Sequence, residues 1–381
     1  MELSKLRQQI DTIDKDLLRL FTERMQVSNS IAEYKRQTGM PVLDPARERE
    51  LLARIAEEAG EDLDTYALVL YSTILSLSRS YQTRKLSPES KCGEIIKNAL
   101  ETTDKCFPEK ARVACQGIEG AYSQLAAQKL FKLPSILYFN AFDGVFSAIE
   151  SGMCDYGVLP IENSTAGSVK RVYDLMIDHN LYITRSIRVK IEHNLLSKPG
   201  TKISDIKEIF SHEQAIDQCA SFLRTLKNVK VTVCPNTAVA AEMVATSDRT
   251  DVAALSARTC ADLYGLSVLA DCVQDKSNNY TRFICVARKP EIYPGADRTS
   301  IMLVTPHKPG ALYNVLSRIN ALGLNLLKLE SRPIPEREFE FMFYFDIEGS
   351  AYSEKLIELM TELELGHEQF KYLGTYAESV G

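Results

Sequence analysis

Residues 3–38 have the sequence LSKLRQQIDTIDKDLLRLFTERMQVSNSIAEYKRQT, the longest helical pattern in the chain. Apolar residues recur along it every three or four positions, a spacing typical of helix–helix packing: Leu3, Leu6, Ile10, Ile13, Leu17, Leu20, Val27, Ile31 and Tyr34. The pattern ends at Gly39-Met40-Pro41, because glycine suits the left-handed position after a helix and proline cannot continue one. The sequence therefore predicts one helix about 50 Å long.

Two shorter helices are predicted to follow. The second begins at Asp44-Pro45, a capping side chain before a proline in the first helical position, and ends near Gly60. The third extends from about Tyr66 to Arg84 with apolar residues along one side. Because two short helices cannot cover a stripe of about 50 Å, a second copy of the chain is expected to cover the rest.

Polar residues interrupt the apolar stripes of all three helices. Arg24 lies where the spacing calls for an apolar residue, and Lys35 follows eleven positions later. At about 100° per residue, that separation returns to within about 20° of the same face. The other interruptions are Arg47, Glu48, Ser78 and Gln82. Together they predict a pocket for an anion.

In this spacing, residues 1–86 resemble the all-helical chorismate mutase family. The matching positions are Arg7, Arg24, Lys35, Asp44, Arg47, Glu48, Ser78 and Gln82. The resemblance implies that the three arginines clamp the carboxylates of chorismate, assisted by Ser78. It assigns Lys35 and Gln82 as donors to the ether oxygen, and Glu48 with Asp44 to the hydroxyl. Such a rearrangement needs no nucleophile, only a held conformer and fixed donors in a dry pocket.

Arg7 and Lys35 cannot share a pocket within one chain. They are 28 residues apart on one helix, which corresponds to about 42 Å. The resemblance therefore predicts an all-α, three-helix domain that forms an interlocked dimer, in which Arg7 completes the partner's site.

The rest of the chain is predicted to contain a linker and an α/β domain of two lobes. Residues 87–110 carry serine, proline and charge and are interpreted as the linker. Strand-like and helical patterns alternate over 111–289, and a strand-rich stretch from Leu181 to Ser197 interrupts them. Such an interruption favours two lobes with a cleft between them.

Three polar motifs in residues 111–289 resemble the prephenate dehydratase family, whose fold is similar to two-lobed periplasmic binding proteins. They are Leu159-Pro160-Ile161-Glu162-Asn163-Ser164, Ser211-His212-Glu213-Gln214 with Gln218-Cys219, and Asn278-Asn279-Tyr280-Thr281-Arg282-Phe283. The resemblance implies that the prephenate cleft is lined by Glu162, Asn163, Ser211, Gln218 and Thr281. Thr281 is the residue expected to act at the departing oxygen. His193 and His212 are interpreted as structural.

A strand–helix–strand–strand–helix–strand pattern over 298–377 predicts a small α+β domain. It resembles an ACT domain (βαββαβ) through Pro309-Gly310-Ala311-Leu312 and Glu330-Ser331-Arg332-Pro333. In this enzyme family the two motifs imply an L-phenylalanine effector site, with feedback inhibition expected. Its residues would be Gly310, Ala311, Leu312, Glu330, Ser331 and Arg332. A domain that only dimerises is the alternative.

Composition and missing motifs narrow the function further. A net charge of -6 argues against nucleic acid or an anionic membrane as partner, so an anionic substrate is expected to meet locally clustered cations. Nine cysteines without a C-x-x-C pair favour a reduced, cytoplasmic protein without a metal site. The glycosylation-like triplets Asn163-Ser164-Thr165 and Asn279-Tyr280-Thr281 are therefore interpreted as active-site candidates.

The predicted function is a bifunctional enzyme of phenylalanine biosynthesis that needs no cofactor and forms a homodimer or tetramer. It would convert chorismate to prephenate and prephenate to phenylpyruvate. A mutase fused to a prephenate dehydrogenase would need a dinucleotide fingerprint, which the sequence lacks. An arogenate dehydratase in place of the prephenate enzyme stays open, as does a ligand-sensing regulator without catalysis.

Overall fold

A computed structural model describes residues 3–86, 90–334 and 341–380. The N-terminal part consists of α1 (Leu3–Thr38), α2 (Pro45–Ala59) and α3 (Asp64–Leu86). Helix α1 ends as predicted, with Gly39 in the left-handed region at φ 68°. Asp44 caps α2, since its side chain accepts from the backbone N–H of Arg47.

The long helix is covered by its own chain only near its C-terminal end. Ser28 and Ala32 are its two buried residues among those described, and every described residue from 3 to 20 is exposed. Leu17 and Ile13 keep 56% and 57% of their surface open to solvent. The predicted apolar stripe thus lies uncovered in the single chain.

The predicted linker is partly a helix. Residues 91–102 form α4 (Lys91–Thr102), capped by Ser90, whose side chain accepts from the backbone N–H of Gly93. Cys92, Ile96 and Ala99 are buried in the core of the C-terminal part of the chain. The predicted linker is therefore not a free connection, because its helix packs on the C-terminal core. Residues 87–89 lie outside the described part.

The central α/β part has two lobes, and the first is built on parallel strands with antiparallel additions. Its elements are β1 (Lys110–Gln116), α5 (Tyr122–Leu130), β2 (Leu133–Phe139), α6 (Phe142–Glu150), β3 (Tyr156–Asn163), β4 (Gly167–Ser168), α7 (Lys170–Asp178) and β5 (Tyr182–Lys190). Strand β1 pairs in parallel with β2 and β3. The predicted parallel strands are present in this lobe.

The chain then enters the second lobe and returns once. The second lobe contains β6 (Asn194–Ser197), a 3₁₀ turn at Ile203–Asp205, β7 (Glu208–Ser211), α8 (Glu213–Gln218), α9 (Ala220–Thr225), β8 (Lys230–Val233), α10 (Thr237–Thr246), β9 (Val252–Ser256), α11 (Thr259–Tyr264) and β10 (Ser267–Ala270). Its five strands have the order β10-β6-β9-β7-β8. The return strand, β11 (Tyr280–Ala287), pairs antiparallel with β3 and β5 in the first lobe. Two chain crossings thus join the lobes, which fits the predicted cleft.

The C-terminal part has the predicted order of elements. They are β12 (Arg298–Val304), α12 (Ala311–Ala321), β13 (Asn325–Pro333), β14 (Phe341–Glu348), α13 (Glu354–Gly366) and β15 (Phe370–Val380). The four strands are antiparallel neighbours in the order β13-β14-β12-β15. Residues 335–340, where the β14 pattern begins in the sequence, lie outside the described part.

The C-terminal strands and the first lobe share one sheet. Strand β15 pairs in parallel with β5, from Ala377 beside Arg185 to Val380 beside Arg188. The result is a ten-stranded sheet that extends from β13 to β2. One face of its C-terminal part carries α4, α12 and α13, and the other packs on the first lobe.

Candidate active sites

Polar side chains of α1 and α3 meet in pairs. The Nη1 of Arg24 donates to the Oγ of Ser78 at 2.5 Å, and one turn later the Nε2 of Gln82 lies 2.6 Å from the Oγ of Ser28. Both pairs are 54 residues apart, so the two helices run parallel in register. The structure brings together Arg24, Ser78 and Gln82 as the sequence predicts, and adds Ser28.

Gln82 keeps one amide atom free of partners in the buried seam. Its side chain is 7% exposed, and its Oε1 has no hydrogen-bond partner among the described residues. The serine hydroxyl at the other amide atom can donate or accept, so either orientation of the amide satisfies that contact. The free atom can therefore be the N–H donor that the resemblance assigns to the ether oxygen.

The remaining mutase candidates lie around the turn between α1 and α2, with one exception. The Nζ of Lys35 donates to the carbonyl oxygen of Val42 at 2.6 Å. Glu48 forms an ion pair with Arg79, a residue of α3 that the sequence analysis missed. Asp44 is engaged as the α2 cap, and Arg47 pairs with Glu50 on the exposed side of α2. The exception, Arg7, is exposed far away near the start of α1.

The interlobe cleft is a cavity of about 530 Å³. Helices α5, α6, α7 and α10 each begin at its wall, at Ala121, Phe142, Val169 and Asn236. Helix N-termini present unpaired N–H groups and the positive end of the helix dipole. None of the described residues that line the cavity is a lysine or arginine. The expectation of clustered cations is wrong for this cleft, because helix starts supply the positive potential instead.

Asn163 is held in one orientation by the backbone. Its Oδ1 accepts from the backbone N–H groups of Thr165 and Ala166, at 3.0 and 2.9 Å, and from the hydroxyl of Thr165. A flipped amide would place donors against two main-chain donors, so the NH₂ group must face the other way. There it donates to the Oγ1 of Thr281 and the Oδ1 of Asn279, each at 2.9 Å. Thr281 is thus an acceptor from Asn163, which leaves its own O–H proton free.

The fixed orientation of Asn163 also fixes the amide orientations of Asn279 and Gln218. With its oxygen on Asn163, Asn279 donates through Nδ2 to the Oε1 of Gln218 at 2.8 Å. The Nε2 of Gln218 then donates to the Oγ1 of Thr165 at 2.8 Å, which closes a ring of four side chains. Thr165 and Asn279 belong to the two triplets that the sequence analysis singled out. The structure brings both triplets together.

His193 completes this network, although the sequence analysis took it as structural. Its Nε2 lies 2.9 Å from the Oε1 of Gln218, which can only accept, so Nε2 carries the hydrogen. The ring is 3% exposed, and its Nδ1 has no partner among the described residues. Burial lowers the pKa of His193, opposed by the hydrogen bond to Gln218 and reinforced by the nearby His212. His193 is therefore neutral and a donor to Gln218.

Two residues expected in the cleft face elsewhere. Neighbouring residues of a strand point to opposite sides, and with Asn163 in the cleft, Glu162 at the end of β3 points away from it. Its Oε1 pairs with the Nζ of Lys328 in β13 at 2.7 Å. Ser211 is fully buried and donates to the carbonyl oxygen of Leu255 at 2.8 Å. Of the five predicted residues, Asn163, Gln218 and Thr281 line the cavity.

The six effector candidates divide between the two faces of the C-terminal sheet. Ala311 and Leu312 line a cavity of about 370 Å³ with Phe341 and Phe343, next to Gly310, which has φ 79°. Ser331 lies beside Phe343 in the sheet register. Strand alternation places Glu330 and Arg332 on the other face.

Those two side chains hold the first lobe. Glu330 accepts from the hydroxyl of Ser168 at 2.7 Å, and Arg332 makes a bidentate ion pair with Asp174 on α7. Ser168 follows directly on the segment that carries Asn163 and Thr165. The motif in β13 that the sequence predicts as part of an effector site is thus in contact with the segment that shapes the cleft.

Within the described ranges, no helix is both long and apolar enough to cross a membrane. In the same ranges, no group of three or more histidine, cysteine or acidic side chains is placed to hold a metal ion. All nine cysteines are free thiols.

Comparison with known proteins assigns the two parts of the chain that carry the candidate sites to families. The chorismate mutase type II model matches residues 6–83, and the prephenate dehydratase model matches residues 113–291. A bifunctional chorismate mutase/prephenate dehydratase of Aquifex aeolicus is 30% identical, and the match covers 100% of this chain and 99% of that protein. A chloroplastic arogenate dehydratase/prephenate dehydratase of Arabidopsis thaliana is 37% identical over 73% of this chain and 75% of its own.

A solved structure is similar over a large share of the chain. The prephenate dehydratase of Arthrobacter aurescens in complex with L-phenylalanine has a TM-score of 0.65 and 28% identity, covering 70% of this chain and 90% of that one. Two family matches in sequence order and a relative that spans the whole chain leave one assignment: this chain belongs to the family of bifunctional chorismate mutase/prephenate dehydratases.

Proposed function

We propose that Thr281, Asn163 and Gln218 form the dehydratase centre of an enzyme whose helical domain makes the substrate for it. The chain rearranges chorismate to prephenate and then converts prephenate to phenylpyruvate, as its family membership implies. The observation that carries the proposal is the meeting of these three side chains in one cavity between the lobes. The domain limits 1–86, 111–289 and 298–377 remain a prediction.

The dehydratase step needs a donor at the departing oxygen. As the ring carboxylate of prephenate leaves as carbon dioxide, its bonding electrons enter the ring and the carbon–oxygen bond to the hydroxyl breaks. Aromatisation drives this step, and hydroxide is the leaving group. Because Thr281 accepts from Asn163, its hydroxyl hydrogen is available to the leaving oxygen. We assign Thr281 as a positioned donor rather than as a strong acid, since stabilisation by fixed donors suffices in a dry cleft.

The substrate tail is proposed to lie against the helix starts. Prephenate carries a second carboxylate on its pyruvyl group, and the first turns of α5 and α10 both line the cavity, at Ser123 and Thr237. Backbone N–H groups there would bind that carboxylate. Arogenate carries an amine in place of the ketone on the same tail. The relatives include enzymes with either name, so preference between the two substrates stays open.

The mutase step is proposed to use pockets shared between two chains. The uncovered stripe of α1 has the composition of a helix–helix seam, and a second copy would cover it. Arg7 of one chain would then reach the Arg24, Lys35 and Gln82 set of the other. Arg79 joins that set as the residue that orients Glu48. A homodimer is the minimum that this arrangement requires, with a tetramer as the alternative.

The C-terminal part is proposed to be an ACT domain that binds L-phenylalanine and inhibits the dehydratase. Ala311 and Leu312 would contact the amino acid at the start of α12, where backbone N–H groups face the cavity. Binding there would reach the cleft through β13, whose Glu330 holds Ser168. The nine free thiols support a cytoplasmic location.

One assay tests the proposal. Chorismate is added to purified protein, and chorismate, prephenate and phenylpyruvate are followed with and without L-phenylalanine. Lys35→Ala should abolish prephenate formation yet leave added prephenate convertible, and Thr281→Ala should do the reverse. If either variant, still folded, lost both activities, separate sites would be ruled out. Phenylalanine should slow phenylpyruvate formation in the wild type.

A further inference from the structure

A second cavity lies between the mutase helices and the C-terminal domain. This junction cavity has a volume of about 330 Å³, within the size range of small-molecule sites. The α1–α2 turn and α3 form one wall, and α12 with the end of α13 forms the other. Among the described residues it shares no lining residue with the interlobe cleft, but it adjoins the cavity at the start of α12, with which it shares Pro306, Lys308 and Ala311.

Cations outnumber acids in the junction cavity. Arg79, Lys308 and Arg318 line it, against the single carboxylate of Glu362. That carboxylate already accepts the hydroxyl of Ser80 at 2.6 Å, and Arg79 is paired with Glu48 outside the lining. Counting both acids leaves one positive charge without a counterpart.

The guanidinium of Arg318 makes no hydrogen bond with any described residue, although the charge of Glu362 acts on it. Arg318 is partly buried on α12. Burial lowers the pKa of Arg318; Glu362 opposes this effect, and Arg79 adds to it. A guanidinium has five N–H donors. Those of Arg318 are therefore available to an acceptor from outside the chain.

The other walls define the rest of the ligand. Val42, Leu43, Val315 and Leu365 supply apolar surface next to the cations. Guanidinium groups favour carboxylates, which match their planar donors. We propose that the junction cavity binds a small monocarboxylate with an apolar body, held by Arg318 and Lys308.

The same ligand would act on the mutase site through Arg79. Arg79 lines the cavity and holds Glu48, which is part of the mutase set. A carboxylate on Arg318 lies where it competes with Glu48 for Arg79. The affinity for chorismate and for the carboxylate must then change reciprocally. This coupling rests on the proposed mutase site, whereas binding in the cavity does not.

The binding test uses 3-phenylpropanoate as the probe and its neutral amide as the comparison, by calorimetry on the full-length protein. Wild type should bind the carboxylate at least ten times more tightly than the amide. Arg318→Gln and Lys308→Gln should each weaken the carboxylate about tenfold. Arg224→Gln, an exposed arginine on α9, is the matched control and should leave it within twofold. Because Lys308 also lines the cavity at the start of α12, Arg318→Gln is the deciding variant. Equal binding of acid and amide, or no loss in Arg318→Gln, overturns the proposal.

The coupling test measures the KM for chorismate with and without the probe. The probe should raise the KM in the wild type and in Arg224→Gln but not in Arg318→Gln. A rise that persists in Arg318→Gln would mean that the probe acts from a different site and would refute the coupling. If no mutase activity were found at all, the proposed function would fail while the calorimetric result still decided the cavity.

Discussion

Asn163→Asp is the sharpest change that the cleft allows. The two side chains have the same shape, and an aspartate oxygen can still accept from the backbone N–H groups of Thr165 and Ala166. The other oxygen, however, replaces an NH₂ group that donates to Thr281, to Asn279 and, at 3.3 Å, to the carbonyl oxygen of Tyr280. The substitution keeps the shape of the side chain, reverses the direction of hydrogen bonding and adds one negative charge.

The consequence for Thr281 follows from its single proton. Facing a carboxylate, the hydroxyl would donate to residue 163 and lose the proton that the leaving oxygen needs. Removing one fixed donor of this kind lowers kcat by about 10²–10³. The aspartate would also face two acceptors, at a cost of about 1–3 kcal/mol of stability for each group left unsatisfied. We therefore expect a folded protein with dehydratase kcat reduced at least about a hundredfold.

The assay is phenylpyruvate formation from added prephenate, with chorismate consumption measured in the same preparation. Mutase activity should stay at the wild-type level, which shows that the protein is folded. Asn140→Asp, an exposed asparagine outside the cavity lining, controls for the added negative charge. A dehydratase kcat within threefold of wild type would refute the assigned direction of the Asn163–Thr281 hydrogen bond.

Two further predictions concern the dimer and His193. When Arg7→Ala and Lys35→Ala chains are refolded together, about a quarter of the mutase sites should regain both residues, because half of the dimers are mixed and each restores one site. Activity no higher than that of the separate variants would exclude sites built across chains. Because the pKa of His193 is lowered in the folded state, the unfolded chain binds more protons than the folded one below about pH 6.5. The free energy of unfolding should therefore fall as the pH is lowered through that range. The fall is at most about 1.4 kcal/mol per pH unit. Urea titrations at pH 7.5 and 5.5 measure this change in the free energy of unfolding. His193→Gln should lose the contribution of His193 while its amide still donates to Gln218, and His307→Gln, at an exposed histidine, should keep it. An equal change between the two pH values in both variants would contradict the lowered pKa of His193.

The sequence predicts the helices and the order of strands because their signals are local. The caps at Asp44 and Gly39 and the apolar spacing of α1 depend on residues a few positions apart, and the structure has each of them. Long-range pairing is different. Nothing local indicates that β15 lies beside β5, or that the predicted linker contributes Ile96 to the C-terminal core.

For the candidate sites too, the sequence predicts what depends on neighbouring residues and misses what depends on distant ones. The triplets around Asn163 and Thr281 mark the cleft, yet the resemblance placed Glu162 and Asn163 together although adjacent strand residues face opposite sides. Strand alternation alone could have shown that only one of them lines the cleft. His193 carried no local signal, since its role depends on Gln218, 25 residues away. Arg79 likewise acquires its role only through contact with Glu48, 31 positions earlier.

The pairing of β5 with β15 has a consequence for how such a protein can be divided. Cutting the chain before β12 would leave β5 as an unpaired edge, and exposed edges promote association between chains. The helical domain, in contrast, shares no strand with the rest and contacts it through side chains such as Ser80 and Glu362. A gene fusion could therefore gain or lose the mutase with few adjustments, whereas the two dehydratase lobes and the C-terminal part would have to be inherited as one piece.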